Sequence, residues 1–111
     1  MEVTSTEFKR TDLVKASGRI DSHTSPRLAE AFEAIMDEGR YQIVFDMGDV
    51  TFVSSAGLRV MIDVQKKCKR KRNGELVLVN VPPDVLSAMD LVGFVPLFEI
   101  FDDEAAAVGH F

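Results

Sequence analysis

The run Ile43-Val44-Phe45-Asp46-Met47-Gly48-Asp49-Val50-Thr51-Phe52-Val53-Ser54-Ser55-Ala56-Gly57-Leu58-Arg59 decides the fold of this chain. Ile43-Val44-Phe45 is a short continuous apolar stretch, the pattern of a strand that is covered on both faces or lies centrally in a sheet. Asp46-Met47-Gly48-Asp49 interrupts it, Val50-Thr51-Phe52-Val53 adds a short apolar step, and Ser54-Ser55 follows. A helix is expected over residues 56–72, with Leu58, Met61, Ile62, Gln65 and Cys68 tracing its inner face and Val64 beside them. Arg59 and Asp63 stand one turn apart on its outer face, at the spacing of a weak ion pair. Asn73-Gly74 ends the helix.

The same alternation continues on both sides. Upstream, residues 3–9 alternate weakly and meet the polar turn Arg10-Thr11-Asp12. Residues 13–16 resume as a second strand, which makes an opening hairpin. Residues 18–24 read as a polar loop. Ser25-Pro26 has the form of an N-cap followed by proline at the first helical position. Leu28, Ala31, Phe32, Ile35 and Met36 then form one apolar stripe that stops at Gly39. Downstream, residues 76–79 are an apolar strand, and Pro82-Pro83-Asp84 turns into a third helix over 85–91, closed by Gly93. A last strand is expected over 98–101, with Phe94, Leu97 and Phe98 closing the core, although Phe94 beside Gly93 is also open to partial exposure near a docking face. Asp102-Asp103 then caps a short helix through Ala107. The order β-β-α-β-α-β-α-β-α predicts an α/β domain spanning 1–111. Its sheet is mixed but mostly parallel, has four to five strands with about four helices, and is edged by the first strand.

The totals narrow the function. With 111 residues there is room for one core, and a net charge of −5 disfavours nucleic acid as the main partner. Six of the seven positions from Lys66 to Arg72 are basic, but they sit at the expected helix C-terminus, where cations suit the dipole; a solvated helix face accounts for them. The only cysteine, Cys68, falls on the inner stripe as a small core residue, and no Cys/His cluster suggests a metal. The N-terminus lacks the pattern of a signal peptide, and no apolar run is long enough to span a membrane. A cytoplasmic protein without membrane contact is the default expectation.

Two serines where a strand stops and a helix begins are accounted for by a cap and its neighbour. If Ser54 is the cap, however, Ser55 falls at the first helical position with its hydroxyl free. A phosphate there meets the positive end of the helix dipole and leaves the fold intact. Ala56 and Gly57, with little side chain, leave room for a partner's backbone to approach.

The stretch Gly48-Asp49-Val50-Thr51-Phe52-Val53-Ser54-Ser55-Ala56-Gly57-Leu58-Arg59 resembles the signature of STAS domains, the family of bacterial anti-sigma factor antagonists. Gly18-Arg19-Ile20-Asp21-Ser22-His23-Thr24 resembles that family's loop between second strand and first helix. The order of elements and the length match as well. The usual signature is Asp-Ser-Ser/Thr-Gly-Leu, in which the serine after the aspartate is phosphorylated. Alignment on Gly57-Leu58 puts Ser54 at the aspartate, Ser55 at the phosphorylated serine and Ala56 at the second hydroxyl residue. Ser54 keeps an N-cap but removes a negative charge.

The resemblance implies a partner-switching cycle without catalysis by this chain. The unmodified protein binds an anti-sigma factor with serine/threonine kinase activity and so frees a sigma factor. The kinase, which itself binds the ATP and Mg²⁺, phosphorylates Ser55, the complex breaks, and a phosphatase acting on phospho-Ser55 resets it. The resemblance implies no cofactor for this chain. Asp21, Ser22, His23, Thr24, Ser54, Ala56, Gly57 and Arg59 are the expected partner-binding residues. Asp21 is equally explained by capping or a turn, His23 by a solvated loop, and Thr24 by its place at a helix start. A constitutive interaction or scaffold subunit of a signalling or lipid-transport assembly is the competing reading. A serine hydrolase is disfavoured: Gly-x-Ser-x-Gly is absent, and the only histidines are His23 and His110, the latter expected in a frayed tail.

Overall fold

Strands that alternate with amphipathic helices bury their apolar residues by stacking the helices on a shared sheet. The computed structural model, which describes residues 1–111, has this architecture. Its elements are β1 (Glu2–Glu7), β2 (Asp12–Ile20), α1 (Ser25–Asp37), β3 (Gln42–Val53), α2 (Ser55–Lys69), β4 (Glu75–Val79), α3 (Pro83–Leu91), a 3₁₀ turn (Val95–Leu97), β5 (Ile100–Phe101) and α4 (Glu104–Gly109). The five strands lie in the order β1-β2-β3-β4-β5. β1 pairs antiparallel with β2, and every other pairing is parallel. The expected mixed, mostly parallel sheet with four helices is therefore present.

Period-two alternation explains the continuous apolar runs. Val14, Ile43, Phe45, Leu76 and Leu78 face α1, α2 and α3 in the main core. Leu13, Val44, Val77 and Val79 point the other way and pack with Ala107 of α4. The edge of one ring meets the face of the other where Phe32 of α1 stands against Phe45, centroids 5.3 Å apart.

Several boundaries differ from those read in the sequence. β2 does not stop before Gly18 but continues to a fully buried Ile20. It does so through two register shifts against β3, helped by the left-handed φ of +84° at Gly18. β3 is likewise one strand of twelve residues. The apparent break at Asp46 closes because its buried carboxylate accepts the Gly48 N–H at 2.9 Å and lies 4.0 Å from Lys15 Nζ. The cap of α1 is Thr24, one residue before the expected Ser25. α2 ends at Lys69 rather than Arg72, since Gly74 must pass against the Cys68 carbonyl; a Cβ there would lie 2.1 Å from that oxygen. A 3₁₀ turn precedes the last strand, which shrinks to two residues. His110 is not in a frayed tail: its Nε2 lies 2.9 Å from Glu75 Oε1, and its ring stands 5.3 Å from those of Phe101 and Phe111.

Candidate functional site

The signature segment sits where β3 ends against β2. The Ser54 N–H donates to the Ile20 carbonyl at 2.8 Å, and Ser54 is extended, with φ −81° and ψ 173°. Its Oγ accepts the Gly57 N–H at 3.3 Å, so Ser54 is the N-cap of α2. Ser55 is the first helical residue; it is exposed, and no group of the chain hydrogen-bonds its hydroxyl. One serine caps and the other is free.

Gly57 corrects an expectation. It is buried and faces the sheet, not a partner: a Cβ there would stand 2.7 Å from Ile20 Cγ2 and 2.9 Å from Val53 Cγ1. The glycine lets α2 start in close contact with both strands. The surface beside Ser55 is left to Ala56 and Arg59.

Asp21 organises the adjoining loop. Its Oδ1 accepts the backbone N–H groups of His23 at 2.9 Å and Thr24 at 3.0 Å, while its own N–H donates to Thr24 Oγ1 at 2.9 Å. The Thr24 hydroxyl donates to the Arg19 carbonyl at 2.8 Å. The Thr24 and His23 amides, together with the Arg19 guanidinium, hold the Asp21 carboxyl below its ordinary value against the opposing pull of desolvation. Asp21 and Thr24 thus build the loop, and Ser22 and His23 form its exposed tip. The Ile20–Ser54 hydrogen bond sets this loop beside the start of α2. Arg19 lies 4.3 Å over the ring of the exposed Phe52 on the same rim.

The sequence did not reveal a groove of about 740 Å³ that begins at Ser55. Ser55, Leu58, Arg59, Ile62 and Lys66 of α2 form one side, and Val92, Phe94 and Leu97 the other. Leu97, expected in the core, is 47% exposed here, whereas Phe98 is the buried residue of the pair. Buried Gln65 fixes the second wall: its Nε2 donates to the carbonyls of Leu76 (3.0 Å) and Leu97 (2.9 Å), and its Oε1 accepts the Leu76 N–H at 2.8 Å. The available signal was the apolar pair Leu91-Val92 around the stop at Gly93, with Phe94 beyond it. The expected Arg59–Asp63 pair does not form.

The basic run at the far end of α2 makes ordinary contacts. Lys67 pairs with Glu33, Lys69 Nζ lies 3.7 Å from Glu75, and Lys71 lies 5.2 Å over the Tyr41 ring. Cys68 is fully buried, and desolvation pushes its thiol up to about 11, which removes it as a nucleophile. No group of three or more His, Cys, Asp or Glu side chains is placed to hold a metal ion.

A family model described as STAS domain matches residues 4–107. BtrV of Bordetella bronchiseptica, named as a candidate anti-sigma factor antagonist, is 34% identical over 94 residues, covering 85% of this chain and 80% of that protein. The anti-sigma F factor antagonist of Paenibacillus polymyxa is 31% identical over 97 residues, covering 86% of this chain and 82% of that one. Among solved structures, an anti-sigma factor antagonist from Mycobacterium paratuberculosis superposes with a TM-score of 0.88 over 98% of this chain and 92% of its own, at 22% identity. That last likeness is one of fold.

Proposed function

The chain belongs to the STAS domain family, and we propose that within it this protein acts as an anti-sigma factor antagonist controlled by phosphorylation of Ser55. In the unmodified state it binds an anti-sigma factor that is also a serine/threonine kinase, and so releases a sigma factor in the cytoplasm. The kinase brings ATP as phosphoryl donor. The Ser55 oxygen bonds to the γ-phosphorus as the bond to ADP breaks, and a base of the kinase takes the hydroxyl proton. A phosphatase restores the hydroxyl by hydrolysis.

The observation that carries the reading is the division of labour between the serines. Ser54 satisfies the helix start, so the Ser55 hydroxyl is exposed and unengaged at the mouth of an apolar groove. A phosphate on this oxygen adds about −1.5 to −2 charges where the α2 dipole is positive, which favours the modified chain on its own. Pressed between two docked surfaces, the same phosphate is desolvated and breaks the complex. No helix is long and apolar enough to cross a membrane. The absence of the family aspartate, replaced by Ser54, favours one competing reading, a constitutive scaffold of the same fold.

Incubation with the cognate anti-sigma kinase and ATP-Mg²⁺, followed by intact-mass analysis, tests the proposal. One phosphate on the wild type and none on Ser55→Ala is expected. Kinase binding kept by Ser55→Ala and lost by Ser55→Asp completes the pattern. An unmodified wild type sinks it.

A further inference from the structure

We infer that the groove leading away from Ser55 seats an acidic amphipathic helix of the partner, and that Arg59 is the cation that reads it. The inference rests on the phospho-switch reading above and adds to it the chemistry of the partner and the way the phosphate is felt.

The groove follows α2 from Ser55 to Lys66. The eleven rises of 1.5 Å between them make about 16.5 Å, the length of roughly three helical turns. Leu58 and Ile62, one turn apart on α2, face Val92, Phe94 and Leu97, of which Val92 is 55% and Leu97 47% exposed. Such a channel suits a helix laid in with its apolar stripe down.

Charge selects the kind of helix. Arg59 and Lys66 line the groove two turns apart, and neither makes an ion pair within the chain. Asp63 stands between them, and the positive end of α2 adds to the cationic side. Carboxylates flanking the partner's apolar stripe complement this rim, whereas lysines or arginines do not.

Arg59 also stands four residues after Ser55, on the same face of the helix. Helical side chains lean toward the N-terminus, which directs the Arg59 side chain toward the turn that carries Ser55, and both line the same groove. A phosphate on Ser55 takes up this guanidinium in a charge-assisted pair. Modification then has two effects at once: it removes the cation that held the partner's carboxylate, and it places a dianion where that carboxylate lay.

Two measurements test this without the kinase. A fifteen-residue helical peptide with leucines at i, i+3, i+4 and i+7 and flanking glutamates is titrated into the unmodified chain and followed by amide NMR. A control peptide carries glutamine for each glutamate. Shifts at Leu58, Ile62, Val92, Phe94 and Leu97 are expected, with the glutamate peptide about three- to tenfold tighter and the preference lost in Arg59→Gln. Equal affinities, shifts elsewhere, or the same shifts produced by raising protein concentration alone (a second copy in the groove) overturn the proposal. For the second measurement, phosphoserine is incorporated at position 55 during translation and titrated by ³¹P NMR. Its second ionisation should fall by about half a unit or more relative to the same protein carrying Arg59→Gln. Coincident curves overturn the capture of Arg59. Failure of the peptide leaves kinase modification of Ser55 untouched, and failure of modification by the kinase leaves the peptide result standing.

Discussion

The two ends of α2 invite opposite conclusions from composition and from structure. The C-terminal end is crowded with cations, yet Lys67 pairs with Glu33, Lys69 with Glu75, and Lys71 lies over Tyr41. The N-terminal end carries one arginine and two serines, and there an exposed hydroxyl at Ser55 and an unpaired guanidinium at Arg59 stand at an open apolar channel. Charge density marked the wrong end. Three of the six cations at the C-terminal end, Lys66, Arg70 and Arg72, are as unpaired as Arg59, so what separates the ends is the apolar channel that opens beside Ser55 and Arg59 and includes only Lys66 of the basic run.

The comparison breaks most readily at Gly57. Gly57→Val places a branched side chain into Ile20 and Val53, and about 2–3 kcal/mol of stability should be lost in a thermal or urea melt. A variant as stable as the wild type would mean that α2 does not need its close seat on the sheet. Next come the serines. Ser54→Ala deletes the cap and should cost about 1 kcal/mol, whereas Ser55→Ala should stay within about 0.5 kcal/mol of the wild type. Equal losses would show that the two hydroxyls share the capping.

At the opposite end, Lys67→Ala removes an exposed, solvent-screened ion pair and should leave the urea or thermal melt indistinguishable from that of the wild type. The smallest effect is local. Asp21 is held below its ordinary value of 3.8, so its contribution is present above that pH and is lost as pH falls through the depressed value. Protection of the His23 and Thr24 amides, taken as exchange relative to the intrinsic rate at each pH, should therefore fall only in acid, ahead of that of the core amides; a fall near neutrality would show that another group holds the loop.

The alternation of strands and helices was legible because period-two and helical patterns are written in apolar residues such as Val44, Phe45, Leu58 and Met61. Stretches where polar groups are satisfied by distant partners were not. Asp46 to Asp49 looked like a break, since the contacts of Asp46 with Lys15 and Asn80 are remote in sequence. Gly57 looked like open surface because a glycine does not announce which side it faces. Leu97 looked like core because hydrophobicity cannot distinguish an exposed groove wall from one that is covered. Ser55, by contrast, was reached by two routes, the family signature and the division between cap and free hydroxyl, and the geometry keeps that division.

The seating of Gly57 against Ile20 and Val53 has a kinetic meaning. A charge added at the first residue of α2 therefore falls on a helix start already packed against two strands. Under the proposed switch, a response that starts at Ser55 is paced by the encounter with the modifying enzyme and by the dissociation of the docked partner, both of them intermolecular rates. A cell could tune such a device through enzyme and partner concentrations and leave the fold unaltered.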